Sequence, residues 1–412
     1  MPFLRGLRAY NSASELLPPF LMRTETDTLG FSNQITIEFD VGTQLVPDLE
    51  IVFYHCNRDW VVDDNEFLRN EFHNRSFRLD YTRAPLGVSH HTYRFVNRFP
   101  DTEGIVQFPF SGNHIFEIVD RETGKTLATA RFIVIDPLAT VAVKVDNEYI
   151  ADAVTPMNQA HRVRARVQIP EVELLDTAFV QLLYEGFVTT VDVYQNQNLW
   201  QPHRVSFSDD NVWTLADWTR PSERVFEHRR IYPGNYSRRL DISDERLYPR
   251  ERLVRLVSGV DLPRYLWQGT PDLRGGSKFL PPSGIYSDYL KVEFRLRVEP
   301  APFKDVFVVG SFNHWAPTSE DQLQLKRNRQ AYIGYKWLRR GIYDYYYILG
   351  WWDPETKSVI GQDWFTLEGN DWRTVRDYYV VVYYDDPRYG GFDRIIGIGK
   401  DTSPGVPSSS IE

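Results

Sequence analysis

The feature that most constrains this chain is apolar alternation with a period of two, recurring in short runs broken by turn residues. Ile35, Ile37, Phe39 and Val41 alternate with Thr36, Glu38 and Asp40. On an extended backbone, residues two apart share a face, so the run predicts a half-buried strand. The pattern returns at Leu49, Ile51 and Phe53, at Phe77, Leu79 and Tyr81, and at Tyr93 and Phe95. Ser111-Gly112-Asn113 and Glu122-Thr123-Gly124-Lys125 read as turns, with strands following at Ile115 to Val119 and Arg131 to Ile135. Further runs begin at Val141, Val163, Phe179 and Val191. Later ones begin at Leu290, Val306, Ala331, Gly341 and Tyr378. No long stretch carries the 3.6-residue period of an amphipathic helix. Aromatic residues make up 15% of the chain, and their fit to pleated, half-buried surfaces points the same way. The expected fold class is all-β, built of consecutive β-sandwiches.

A chain of 412 residues is long for a single core and suggests two or three domains. Asp136-Pro137 marks a break, because proline donates nothing to a ladder and restricts the residue before it. The expected division is an N-terminal extension over 1–23, a first β-sandwich over 24–136, and a middle β domain over 137–287. A C-terminal immunoglobulin-like domain over 288–400 and a disordered tail over 401–412 complete it. Polar and turn residues dominate from Ser206 to Pro282, predicting long loops. The tail, Thr-Ser-Pro-Gly-Val-Pro-Ser-Ser-Ser after Asp401, has almost nothing to bury.

The net charge of −9 repels phosphates, so nucleic acid is not an expected partner. No stretch reaches the ~20 apolar residues needed to span a bilayer, and no direct insertion is expected. Arg5 and Arg8 could open an export signal, but Glu15, Pro18 and Pro19 interrupt the residues after them and no apolar core of a signal is visible. Cys56 is the single cysteine. As a strand residue it shares a face with Tyr54 and reads as a small core hydrophobe. His55-Cys56 and His90-His91 are poor metal candidates, since neighbours on a strand point to opposite faces. No nucleophile elbow, His-Glu-x-x-His helix, P-loop or Rossmann glycine pattern occurs. Gly397-Ile398-Gly399 lacks a third glycine and reads as a turn. The chain is therefore expected to be a non-enzyme with no metal, cofactor or catalytic residues.

Near the C-terminus, Val306 to Trp315 reads Val-Phe-Val-Val-Gly-Ser-Phe-Asn-His-Trp, followed by Gly341-Ile342-Tyr343-Asp344-Tyr345-Tyr346-Tyr347 and Gly350-Trp351-Trp352. This order resembles the immunoglobulin-like glycogen-binding modules, in which aromatic faces stack on sugar rings. That resemblance makes Trp315, Trp351 and Trp352 the carbohydrate-binding candidates. The lysine those modules carry after the tyrosine is replaced here by the Tyr345-Tyr346-Tyr347 run. Alternatively, Trp315 and the tyrosines fill the core and edges of a sandwich.

A second set of motifs spans roughly residues 25 to 400. It opens with Tyr54-His55-Cys56-Asn57-Arg58-Asp59-Trp60, His91-Thr92-Tyr93-Arg94-Phe95, Ser111-Gly112-Asn113-His114-Ile115-Phe116 and Ala130-Arg131-Phe132-Ile133-Val134. Tyr232-Pro233-Gly234-Asn235-Tyr236-Ser237-Arg238 and Ser287-Asp288-Tyr289 come next. Leu338-Arg339-Arg340-Gly341, Val382-Tyr383-Tyr384 and Gly391-Phe392-Asp393-Arg394 close the series. In that order they resemble the plug proteins of the bacterial type IX secretion system, with Tyr236-Ser237 standing where the family usually has Glu-Phe. The resemblance implies a periplasmic, monomeric, all-β protein that closes the periplasmic mouth of the outer-membrane β-barrel translocon. Exposed loops would carry the contact, and Trp213, Trp218 and Trp267 in the loop-rich middle stretch are the partner-binding candidates, tryptophan being enriched among interface anchors.

Overall fold

The structure, a computed structural model, describes residues 3–24, 29–151, 157–168, 189–196, 198, 203–204, 223–250, 252–256, 259–265, 270–279, 288–299 and 302–405. Among the described residues strands account for 52% and helix for 4%, so the fold is all-β.

The first unit is two facing sheets. One orders Phe3–Asn11, Ile35–Gly42, Tyr93–Phe99 and Tyr81–Arg83. The other orders Phe20–Met22, Lys125–Ile135, Gly112–Asp120, Leu49–Cys56 and Arg75–Ser76. The alternating apolar residues meet between them. Ile35, Ile37, Phe39 and Val41 pack on Leu49, Ile51, Phe53, Phe116 and Phe132. Phe39 stacks on its cross-strand partner Phe95 at 4.8 Å, a pairing typical of sheet stabilisation. The expected strand through Phe77, Leu79 and Tyr81 is instead two short strands in different sheets, where the chain crosses between layers.

Residues 3–22 are not an extension outside this sandwich. Phe3–Asn11 pairs antiparallel with Ile35–Gly42, and Phe20–Met22 pairs parallel with Lys125–Ile135. Period-two reading misses the first strand because a bulge between Arg5 and Arg8 shifts its register. Gly6 sits there at φ +59, as a bulge favours.

The second unit faces the sheet Thr140–Tyr149, Gln159–Gln168 and Glu223–Ile231 against the sheet His203–Arg204, Thr189–Gln195, Asp377–Asp386 and Phe392–Thr402. Val163, Ala165, Val191 and Val193 share one core with Tyr378, Val380, Val382 and Ile396. The last two strands thus leave the expected 288–400 unit and complete the middle one. Gly397 and Gly399 lie inside the strand Phe392–Thr402 rather than in a turn. A Cβ at Gly399 would stand 2.5 Å from the Val141 carbonyl oxygen, so glycine is what lets Thr140–Tyr149 approach. Asp401 and Thr402 end that strand, and buried Ser403 donates its N–H to the Arg376 carbonyl at 2.9 Å. Residues 401–405, expected in a disordered tail, are therefore ordered, and 406–412 lie outside the described residues.

The third unit is a nine-stranded sheet ordering Arg238–Asp241, Gly341–Asp353, Asp305–Gly310, Gln322–Lys326, Ala331–Arg339, Tyr289–Leu296 and Val254–Arg255. Ser277–Phe279 and Ser358–Asp363 also pair with Gly341–Asp353. Leu240, Ile242 and Val254 share its core with Val292, Phe294, Val308, Tyr345 and Tyr347. Residues 238–279, assigned from sequence to the middle domain, therefore supply strands and core to the third unit wherever they are described.

A further apolar layer joins the first two units. Phe20, Phe31, Trp60, Ile133 and Ile135 pack against Tyr194, Tyr379, Val381, Tyr383 and Ile395. Phe20 meets Tyr379 edge-on at 5.3 Å.

Candidate functional site

The motifs scattered along the sequence converge on three junctions between the units. At the first, Arg58 reaches out of the strand-end motif after Cys56. Its backbone N–H donates to Asp393 Oδ2 at 2.7 Å, and its guanidinium donates to Asp192 Oδ1 at 2.9 Å and to the Val191 carbonyl at 3.0 Å. Asn113 donates to the carbonyls of Asn57 and Arg58, each at 3.2 Å, and accepts from the Tyr383 hydroxyl at 2.8 Å. Arg394 pairs with Asp136 and with Asp386. Four separated motifs thus meet within hydrogen-bond reach. Burial works against the Arg58 charge, but Asp192 outweighs it and holds the guanidinium above its ordinary pKa.

The second junction uses the polar face of Ile35–Gly42, which solvent does not reach. Glu38 accepts from Arg8 and from Arg339, both at 2.6 Å. Asp40 accepts from Arg94 Nε at 2.8 Å and from the Tyr289 hydroxyl at 2.9 Å. Burial would raise the Glu38 pKa, yet the Arg8 and Arg339 charges hold it below the usual range. Asp288 caps the Ser89-His90 turn, accepting both backbone N–H groups at 3.0 and 3.1 Å. The residues read as the wet side of a half-buried strand are the contact between the first and third units.

The third junction is the loop Tyr232 to Arg238 against the third unit. Gly234, at φ +70, donates to Asn370 at 2.9 Å, and Ser237 donates to Asp272 at 2.7 Å. Fully buried Arg376 donates to the Pro233 carbonyl and to Asp272, both at 2.9 Å, and also to the Asn235 carbonyl and the Tyr346 hydroxyl. Arg238 and Arg264 both donate to buried Glu368, at 2.9 and 2.7 Å. Tyr236 and Ser237, where the sequence departs from the plug-protein pattern, are buried in this contact. Partnered buried charges of this kind fix geometry more than they add net stability.

Cys56 is fully buried, and its thiol is pushed up to about 12 by burial and by the Asp63 charge. That is the opposite of an activated nucleophile. Asp344, in the tyrosine-rich strand, is held up to about 7, first by burial and then by Asp272. Its Oδ2 accepts from Leu273 and Gly275, at 2.7 and 3.1 Å, clamping that turn.

The three carbohydrate candidates are not brought onto one face. Trp315 is 6% exposed, and its indole N–H donates to the Gly275 carbonyl at 2.9 Å. Trp352 packs at the edge of the same cluster, with Phe307 and Val359. Trp351, next along the strand, points the other way and is 39% exposed, with Lys304 Nζ over its ring at 4.6 Å. The asparagine of the motif, Asn313, holds the turn by accepting from the Gly310 N–H at 2.9 Å. Trp213, Trp218 and Trp267 lie outside the described residues.

One side of Trp315 lines a cavity of about 330 Å³ between the second and third units. Tyr232, Tyr346, Trp364 and Phe365 complete its aromatic walls, with Gln195, Asn196 and Arg376 among the polar lining. Sequence reasoning missed Trp364, Phe365 and Arg376. They lie in a segment without alternation, between strands, and only the return of 377–402 to the middle unit brings them together.

Two units of facing sheets and a third built on one nine-stranded sheet, joined by an apolar layer and three buried polar junctions, define a multidomain all-β protein. Residues 11–136 match the family model described as the type 9 secretion system plug protein 1st domain. Over those residues the chain is thus similar to the first domain of the type 9 secretion system plug proteins, which is not a known enzyme family. A hypothetical protein from Parabacteroides merdae, known from a crystal structure, shares the fold at a TM-score of 0.74 and 19% identity. The match covers 97% of each chain. No curated protein matches the sequence.

Proposed function

We propose that this chain is a non-catalytic, periplasmic plug that binds and occludes the periplasmic opening of the type IX secretion outer-membrane β-barrel translocon, acting as a monomer. The observation that carries this reading is the match of residues 11–136 to the plug family's first domain. The architecture supports it, because occlusion needs a body that does not hinge. Inter-domain motion is the default where interfaces are small and polar. Here a shared aromatic layer and buried ion pairs oppose it. Closure must be reversible, so the contact surface is expected to be moderately polar and wet. Trp213, Trp218 and Trp267 are proposed as anchors. Among the described residues Phe72 and Leu86, 94% and 98% exposed, are further ones. Affinity purification of the tagged translocon from wild-type and secretion-blocked cells tests the reading. This protein should copurify with the empty pore and be depleted from a cargo-filled one. Its absence from the empty pore, or equal presence on both, would overturn the proposal.

A further inference from the structure

The cavity between the second and third units has walls of a particular kind. Trp315 and Tyr346 meet edge-on at 5.6 Å, Tyr346 and Trp364 at 6.4 Å, and Tyr232 and Phe365 at 5.8 Å. The rings form an angled basket, and its volume of about 330 Å³ is within the range of small-molecule sites, roughly 300–1,000 Å³. Most of the polar groups among these rings are already engaged by protein. Trp315 Nε1 donates to the Gly275 carbonyl at 2.9 Å and Trp364 Nε1 to Gln362 at 3.0 Å. The Tyr346 hydroxyl donates to the Asn235 carbonyl, and the Arg376 guanidinium is held by Pro233, Asn235, Asp272 and Tyr346. Gln195 donates to the Pro233 carbonyl at 2.9 Å. A sugar, which must replace many hydrogen bonds to water, would break these contacts or leave its own hydroxyls unmet. A flat aromatic group needs none of them and gains from edge and offset contacts with the surrounding rings.

We infer that this cavity is a binding site for an aromatic group of one or two fused rings, either a free small molecule or a side chain presented by a polypeptide. The inference does not depend on the plug reading. Phe365 and Tyr232 are partly exposed at the cavity, so each can be truncated without emptying a core. The experiment titrates the full chain with indole, with an unstructured peptide bearing one tryptophan, and with maltoheptaose, following saturation-transfer NMR and calorimetry. Indole should bind saturably, and Phe365→Ala and Tyr232→Ala should each weaken it at least tenfold with a melting temperature close to that of the parent. Peptide binding at least as tight as indole assigns the ring to a polypeptide, and binding of indole alone assigns it to a small molecule. No saturable indole binding, binding unchanged in both variants, or maltoheptaose competing for the cavity would overturn the inference.

Discussion

Arg58 of the first unit donates from Nε to Asp192 of the second at 2.9 Å, 134 residues along the chain, and Asp192 is fully buried. Removing the cation leaves a carboxylate without its counter-ion in a site that water does not reach. Arg58→Ala is therefore expected to cost about 3–5 kcal/mol. Replacing both partners, Arg58→Met with Asp192→Leu, should recover most of that loss. Chemical denaturation of the single and double variants checks this. A single variant within about 1 kcal/mol of the parent, the scale of an exposed pair, would show that the pair does not hold the units together.

Cys56 should be a packing residue. With the thiol pushed up to about 12, native protein should resist alkylation at neutral pH and react only on unfolding. Cys56→Ala should cost on the order of 1 kcal/mol, the methylene-scale loss of a buried small side chain, and leave the proposed translocon binding intact. Thiol-reactive dye uptake with and without denaturant, beside a binding assay, measures both.

Asp344 predicts a pH dependence with a definite sign. Its folded pKa, held up to about 7, lies above the ordinary value near 3.8, so between these the unfolded chain ionises while the folded one keeps its proton. This carboxyl's contribution is therefore most favourable below about pH 4, declines as pH rises to about 7, and is flat above that. Asp344→Asn should remove that slope. The difference in unfolding free energy between variant and parent, followed from pH 4 to 8, should change in the variant's favour as pH rises.

The tryptophans of the glycogen-module signature should separate by burial. Trp315→Ala should cost about 3–5 kcal/mol as a buried aromatic truncation, and Trp351→Ala, on a partly exposed edge, well under about 1 kcal/mol. The parent chain should bind no linear glucan in the micromolar range. Thermal melts of the variants and a glucan titration of the parent give the answers.

Much of the fold was legible in Ile35–Val41 and Leu290–Leu296, where period two states the strand and its buried face. The partner of the opposite face was not. Glu38 and Asp40 look like solvent-side residues until Arg8, Arg339 and Tyr289 arrive from 30, 301 and 249 residues away. The same limit hid the domain order. Tyr378 to Tyr384 alternates as plainly as any strand, but nothing local says that it pairs with Thr189–Gln195 and not with Gly341–Asp353. Arg5 to Arg8 was missed for a local reason, a bulge that breaks the period. The motif set that suggested the family was legible as an ordered series. Its physical meaning, side chains meeting at junctions between units, needed the assembled sheets.

The proposed occlusion of the pore by a locked body has a direct electrical readout. Purified translocon in a planar bilayer should carry a large open current that falls when this protein is added from the periplasmic side. The Arg58→Ala variant, with its first junction broken, should close the pore less completely. A current unchanged by saturating parent protein would contradict occlusion.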